Sequence, residues 1–546
     1  MQGLMMDMPL LISGLIRHAD RHHGDTEIVS KTVEGDLHRY TYRDAHARSR
    51  RLAKALAKLG VRMNDRVATL AWNGYRHFEI YYAVAGSGAI IHTINPRLFP
   101  DQIVYIANHA EDKVLCFDLT FAPLVEKLAP QLKSVKHYVL MTDRAHMPAK
   151  TSIPGLLCYE ELLAAEDDRF EWPEFDEKTA ACLCYTSGTT GNPKGALYAH
   201  RSTILHAYAA ALPDALNCSA RDVILPVVPM FHVNAWGLPY TCALTGTKLV
   251  FPGQHLDGKS LHTLFEQEGV TMSAGVPTIW LGLLNYMKEQ KLRFSTLKGV
   301  VIGGSAAPPA MIRTFQEEYG VQVLHAWGMT EMSPLGTVCT FKAKHMKMDK
   351  EARYALQNKP GRVIYGVDTR IVGEDGKELP HDGKAFGELQ VRGPWVIRSY
   401  FKGEGGDPLK KDEAGRGWFP TGDVVTIDPD GYIQITDRSK DVIKSGGEWI
   451  SSIDLENIAV AHPAVQEAAV IGVKHPKWDE RPVVVAVKKA GQEVSKDDLL
   501  KFYEGKIAKW WMPDDVVFVK ELPHTATGKL SKLTLRQQLK DYKLPG

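Results

Sequence analysis

The sequence predicts an α/β protein: a large N-terminal domain of parallel-sheet α/β subdomains plus a β-rich subdomain, then a small α+β C-terminal domain. Three observations predict it. Strand and helix signals alternate through the first third of the chain, and again from about residue 190 to about residue 340. Between residues 361 and 435 the apolar alternation becomes shorter and turn-rich. A charged, glycine-bearing segment, DRSKDVIKSGGEWIS (437–451), then precedes a compact run of further strands and helices. The expected limits are 1–437 for the large domain, 438–440 for a hinge centred near Lys440, and 441–546 for the small domain.

In chain order, the opening residues read as an amphipathic helix, because no basic stretch and no small-residue cleavage site flank their apolar positions. Residues 41–44 (TYRD) have the form of a capped helix start and Gly60 that of its stop. RVATLAW (66–72) reads as a buried strand, YRHFEIYYAVAGSG (75–88) as a helix and GAIIHTI (88–94) as the next strand. Helix 101–110, strand 113–117, helix 121–130 and strand 136–141 follow. Such an order implies right-handed βαβ units and a largely parallel sheet covered on both faces. The C-terminal strands and helices are read at 464–473, 481–490, 496–511 and 514–520.

Composition excludes several function classes. A chain of 546 residues exceeds one ordinary domain. Hydrophobic residues at 44% and charged residues at 24% suit a soluble globular protein. No run of about 18 apolar residues is present, so no transmembrane segment is expected. Lys plus Arg number 66 against 64 Asp plus Glu, without a basic stripe, which speaks against a nucleic-acid partner. Seven cysteines, never spaced CxxC, argue against a disulfide framework or structural zinc and fit a reducing cytoplasm.

The sharpest chemical signal is TSGTTGNPKG (186–195). Glycines let successive backbone N–H groups turn towards one anion, hydroxyls add donors and Lys194 adds a cation. It is not a P-loop of the GxxxxGK[ST] type, because Pro193 precedes the lysine and Gly195 follows it. The plain alternative is a Ser/Thr/Gly surface loop.

With GGSAAP (303–308), HAWGMTE (325–331), TGD (421–423), DRSKDVIKSGGEWIS (437–451) and PHTATGK (523–529) following in order, the chain resembles the adenylate-forming superfamily of acyl-CoA synthetases, luciferases and peptide-synthetase adenylation domains. The resemblance spans nearly the whole chain. It implies that the C-terminal domain is mobile and that ATP is held by Thr186, Ser187, Gly188, Thr189, Thr190, Gly191 and Lys194 around its phosphates. Gly304, Ser305, Ala306, Ala307, Pro308, Ala326, Trp327, Gly328 and Met329 would surround the adenine, and Asp423 would take the ribose hydroxyls with help from Arg438. Thr330 and Glu331 would meet the α-phosphate and Mg²⁺, with Thr190 as a second metal ligand; Mg²⁺ takes one or two carboxylates plus phosphate oxygens. Lys529 resembles the lysine essential for adenylation. Its role is electrostatic, because the acid is already ionised at neutral pH and a cation between carboxylate and α-phosphate relieves their repulsion.

The acid's pocket is expected along VVPMFHVNAWG (227–237), with His232, Val233 and Trp236 joined by Gly303 and Pro334. Amino-acid-activating relatives carry an aspartate just after the Phe, whereas here His232 follows Phe231. An ammonium substrate would then be left unpaired in a desolvated site, so a plain carboxylate with an apolar tail is expected. Trp236 is bulky enough to limit pocket depth, favouring short or medium chains. After adenylation, Lys440, Asp441, Lys444, Gly446, Gly447 and Glu448 resemble the segment that enters the site for coenzyme A, with Lys444 reaching the adenylate; without the resemblance they would read as a solvated charged linker. Residues 9–30 and the FHVNAWG pocket look most like the 3-methylmercaptopropionyl-CoA ligases of dimethylsulfoniopropionate breakdown, which also accept short and medium fatty acids; a generic medium-chain ligase looks almost the same.

The implied partners are a carboxylic acid, ATP and coenzyme A, while the choice between monomer and homodimer stays open. Competing classes are a luciferase-like oxidoreductase, an enzyme loading a carrier protein, and a non-catalytic nucleotide sensor. His18, His22 and His23 are read as surface residues, Trp510 and Trp511 as buried anchors of the small domain, and Met512 as a departure from the lysine that close relatives often carry there.

Overall fold

The computed structural model describes residues 1–186, 192–439, 441–445, 448–524 and 530–544, with the side chains of Glu448 and Trp449 left out. Four sheets organise them. In a seven-stranded sheet the order is Leu157–Cys158, His137–Leu140, Asp112–Phe117, Arg66–Leu70, Ile90–Thr93, Ala180–Tyr185, Gly195–Ala199. All neighbours are parallel except the last pair, an antiparallel hairpin. The predicted alternation is realised with ends moved by a few residues: helix Tyr75–Gly86 lies between strands Arg66–Leu70 and Ile90–Thr93. Strand Ile90–Thr93 is buried throughout, as a two-sided parallel strand must be.

The nine-stranded sheet has a parallel centre, in spatial order Gln322–Gly328, Gly299–Ile302, Met272–Gly275, Val223–Pro226, Lys248–Phe251 and Glu27–Lys31. Helix Ile12–His23 buries Ile12, Leu15, Ile16 and Ala19, the amphipathic pattern read from the sequence. Helix Tyr42–Lys58 begins with a reciprocal cap between Thr41 and Asp44, and Gly60 follows its end at φ 83°. Residues 368–438 supply a five-stranded antiparallel sheet whose long strand Gly417–Ile427 pairs with Ile433–Arg438.

The fourth sheet is built from strands between Ile443 and Val519; Val465–His475 and Asp479–Lys488 are its antiparallel spine. One expectation fails here. Trp511 packs against the core of this unit, but Trp510 is 44% exposed. Adjacent residues of the 3₁₀ turn Lys509–Trp511 point about 120° apart, so one ring turns to the core and the other to solvent. His18 and His22 lie exposed with ring centroids 4.9 Å apart, and His23 is half-buried. No described helix is long and apolar enough to cross a membrane.

Candidate active site

Topology brings the motifs together. GGSAAP follows the carboxyl end of strand Gly299–Ile302, HAWGMTE closes strand Gln322–Gly328, and residues 227–237 follow strand Val223–Pro226. These strands are parallel members of one sheet, and the carboxyl edge of such a sheet is where α/β folds bind ligands. The loop at 186–194 leaves the carboxyl end of strand Ala180–Tyr185 in the other large sheet. Its base is closed twice: Thr186 N–H donates to the Lys194 carbonyl at 2.8 Å, and Lys194 N–H donates to Thr186 Oγ1 at 3.2 Å.

Trp327 and Asp423 meet directly, the indole Nε1–H donating to Asp423 Oδ2 at 3.0 Å. Arg438 Nε lies 2.9 Å from Asp423 Oδ1. Register explains this second contact, because Asp423 and Arg438 are cross-strand partners in the hairpin of Gly417–Ile427 with Ile433–Arg438. Asp423 is 2% exposed. These two contacts orient the carboxylate.

Glu331 and Thr330 are also buried. Tyr400 O–H donates to Glu331 Oε1 at 2.8 Å, and Ile397 N–H donates to the Glu331 carbonyl at 2.9 Å. Tyr198 O–H donates to the Thr330 carbonyl at 2.5 Å. Burial, with the Glu331 charge alongside, pushes the Tyr400 phenol up, so it stays a donor at neutral pH. Lys194 Nζ sits 5.1 Å from the Tyr400 ring centroid, so this one aromatic touches both the cation of the glycine-rich loop and the buried carboxylate.

Gly328 has no room for a side chain: a Cβ there would lie 2.0 Å from the Pro334 carbonyl oxygen. Met329 N–H donates to that same oxygen at 3.1 Å, so Pro334 packs directly on the end of HAWGMTE. A Cβ on Gly303 would come within 3.1 Å of the Trp236 ring. Gly304, Ser305 and Ala306 are exposed, whereas Ala307 is buried and its N–H donates to His325 Nε2 at 3.3 Å. His325 Nδ1 lies 3.2 Å from the Gln357 carbonyl, and burial lowers its pKa to about 4, so the neutral ring donates on one side and accepts on the other.

His232 and Trp236 are half-buried and Val233 is buried. Lys444 is exposed and its Nζ lies 3.0 Å from Glu374 Oε1 in the β-rich sheet's region. Asp441 pairs with Arg536 at 2.6 Å. Ser187, Gly188, Thr189, Thr190, Gly191, Lys440, Gly446, Gly447 and Lys529, together with the Glu448 side chain, lie outside the described residues. A cleft of about 680 Å³ runs along Gly366, Arg392, Ile397, Arg398 and Phe419; none of the predicted site residues lines it.

Comparison with known proteins settles the family. The profile described as AMP-binding enzyme matches residues 15–401, and that of the AMP-binding enzyme C-terminal domain matches residues 454–529. The chain belongs to the AMP-binding enzyme family, among its acyl-CoA ligases. It is 56% identical to a 3-methylmercaptopropionyl-CoA ligase of Ruegeria lacuscaerulensis over 99% of each chain. It is 50% identical to a medium-chain-fatty-acid–CoA ligase of Ectopseudomonas oleovorans over 100% of this chain and 98% of that one. Among solved structures, an anthranilate CoA ligase in complex with anthranoyl-AMP matches with a TM-score of 0.85 at 25% identity, covering 98% of both chains. The parallel-sheet α/β architecture with a small C-terminal unit is thus the fold of this AMP-binding family.

Four residues of the described site escaped sequence reasoning: Tyr198, Tyr400, His325 and His206, the last accepting from Leu335 N–H at 3.2 Å. Apart from His325, which lies inside a motif, none carries a local signal. Tyr198 and Thr330 are 132 positions apart, and Tyr400 and Glu331 are 69 apart.

Proposed function

We propose that this AMP-binding enzyme joins a small or medium carboxylic acid to coenzyme A in two steps. A carboxylate oxygen attacks the α-phosphorus of ATP, the bond to the β-phosphate oxygen breaks, and pyrophosphate leaves acyl-AMP behind. The sulfur of coenzyme A then attacks the acyl carbon, its proton passes to solvent, and AMP departs with the electron pair of the acyl–oxygen bond. The observation that carries the reading is a pair of clusters built on one motif: Trp327 with Asp423 and Arg438, and, further along the same HAWGMTE stretch, Glu331 with Tyr400 and Lys194.

Each residue is assigned a part, from its surroundings where these are described and from its motif elsewhere. Asp423 receives the ribose hydroxyls, and Trp327, fixed by its bond to Asp423, walls the adenine with Ala326, Gly328, Met329 and the 304–308 turn. The hydroxyls and N–H groups of Thr186, Ser187, Gly188, Thr189, Thr190 and Gly191 cradle the phosphates with Lys194. Thr330 meets the α-phosphate. Mg²⁺ fits Glu331, a buried carboxylate already oriented by a phenol, and Thr190 is assigned as its second ligand; when bound, the ion would supply positive charge against the phosphates. Lys529 bridges carboxylate and α-phosphate in the first step, and rotation about 438–440, separating units 1–437 and 441–546, exchanges it for the face bearing Asp441, Lys444, Gly446, Gly447 and Glu448.

The acid lies against His232, Val233, Trp236, Gly303 and Pro334. No carboxylate stands in 227–237, so a simple acid with an apolar tail suits the wall better than an amino acid. The names of the relatives make 3-methylmercaptopropionate and short- to medium-chain fatty acids the first to test. Seven free, buried thiols suit a reducing cytoplasm. The test is pyrophosphate release from ATP and Mg²⁺ across C3–C12 acids, the methylthio acid and zwitterionic amino acids. Acid-dependent release, strongest below long-chain lengths and absent with amino acids, is expected; release with amino acids alone would overturn the substrate class.

A further inference from the structure

The segment that follows Phe231 has an unusual backbone. Val233, Asn234, Ala235 and Trp236 all have positive φ, at 48°, 52°, 49° and 57°, before Gly237 at 77°. A left-handed helical turn costs L-residues roughly 1–2 kcal/mol each, and they normally enter that region singly. Four in a row, none of them glycine, need something to hold them.

Asn234 sits inside that turn and is 3% exposed. Its Oδ1 lies 3.2 Å from the sulfurs of both Cys182 and Cys184, and its Nδ2 lies 3.1 Å from Cys182 Sγ and 3.5 Å from the Tyr240 hydroxyl. The two sulfurs are 3.8 Å apart on one face of strand Ala180–Tyr185, the strand that leads directly into Thr186. Asparagine is also among the few side chains that tolerate left-handed backbone. On the outer end of the turn, Trp236 abuts Gly303, where a Cβ would stand 3.1 Å from the indole.

We propose that Asn234 is a positioning residue for acid selectivity: its amide, locked onto the Cys182 and Cys184 thiols, holds the left-handed turn that sets Trp236 against Gly303 and so fixes pocket depth. This rests on the reading of 227–237 as the acid's wall. The thiol pair thereby ties that wall to the strand bearing the phosphate loop, so acid and nucleotide sites keep one geometry.

Asn234→Ala is the informative variant, because alanine keeps the backbone penalty and removes the anchor. Measured by pyrophosphate release, its ratio of kcat/KM for C10 over C4 acids should shift at least about tenfold from the wild type, while KM for ATP stays within about threefold. A Cys182→Ala, Cys184→Ala double variant should shift the ratio in the same direction, and it decides the matter if Asn234→Ala fails to fold. An unchanged chain-length ratio, or a uniform loss with every acid and with ATP, overturns the inference. Absence of acid-dependent release from the wild-type enzyme overturns instead the acyl-CoA ligase reading beneath it.

Discussion

The proposed nucleotide pocket and the proposed hinge surface hold their charges in opposite settings. Asp423 and Glu331 are buried, and each accepts a hydrogen bond from an aromatic donor, Trp327 or Tyr400. Lys444 and Glu374 have at least half their side chains exposed. A buried carboxylate bonded by neighbouring groups costs little to reorganise at the moment of reaction, because its dipoles are already aimed. An exposed ion pair is worth only about 0–1 kcal/mol and is easily exchanged for another partner. The first arrangement suits a site that must be ready before ATP arrives. The second suits a surface that must separate and re-pair once per turnover.

Substitutions can break that contrast. Asp423→Ala removes an acceptor of the ribose and strands the Trp327 indole; KM for ATP should rise about 10–100-fold, since a charged hydrogen bond contributes about 1.5–3 kcal/mol. Steady-state kinetics at saturating acid check it, and an unchanged KM would remove Asp423 from the nucleotide site. Tyr400→Phe keeps the ring beneath Lys194 but loses the bond to Glu331. Turnover should fall about tenfold and the Mg²⁺ titration should move to higher concentration; a loss that Mg²⁺ cannot offset would mean Glu331 does not serve the ion.

A pH experiment sharpens the picture of the adenine turn. His325 stays neutral in the fold down to a pKa of about 4, whereas the unfolded chain protonates it near 6.5. Its contribution is therefore complete above about pH 6.5 and is lost as pH falls towards 4. His325→Asn should have a denaturation free energy that declines less steeply over that window, by up to about 1.4 kcal/mol per pH unit. Equal slopes would mean the ring is charged in the folded protein. The smallest effect belongs to Glu374→Gln: stability should change by less than about 1 kcal/mol and the pyrophosphate-release step by less than about twofold. A tenfold slowing of that step would make the Lys444 contact part of the first half-reaction.

Much of the architecture is legible because it is written locally. Strand Ile90–Thr93 and helix Tyr42–Lys58 follow from apolar runs and a capping pair, and the motif residues are contiguous. Contacts that lock the motifs are not local. Nothing near Tyr400 announces Glu331, and nothing near Tyr198 announces the Thr330 carbonyl. The left-handed turn at 233–236 was hidden for a different reason: without glycine at those positions, propensity gives no hint of positive φ, and only its tertiary anchor sustains it. Trp510 was misplaced because composition makes two adjacent tryptophans look like core, while turn geometry lets only one turn inward.

The central claim is a division of labour between a fixed nucleotide pocket and a lysine brought to it by the small domain. It is tested most directly by separating the two half-reactions in Lys529→Ala. Acid-dependent pyrophosphate release should fall by about 10²-fold or more, while thioester formation from supplied acyl-AMP and coenzyme A should stay within a few-fold of the wild type. Equal loss of both steps, or normal pyrophosphate release, would contradict it.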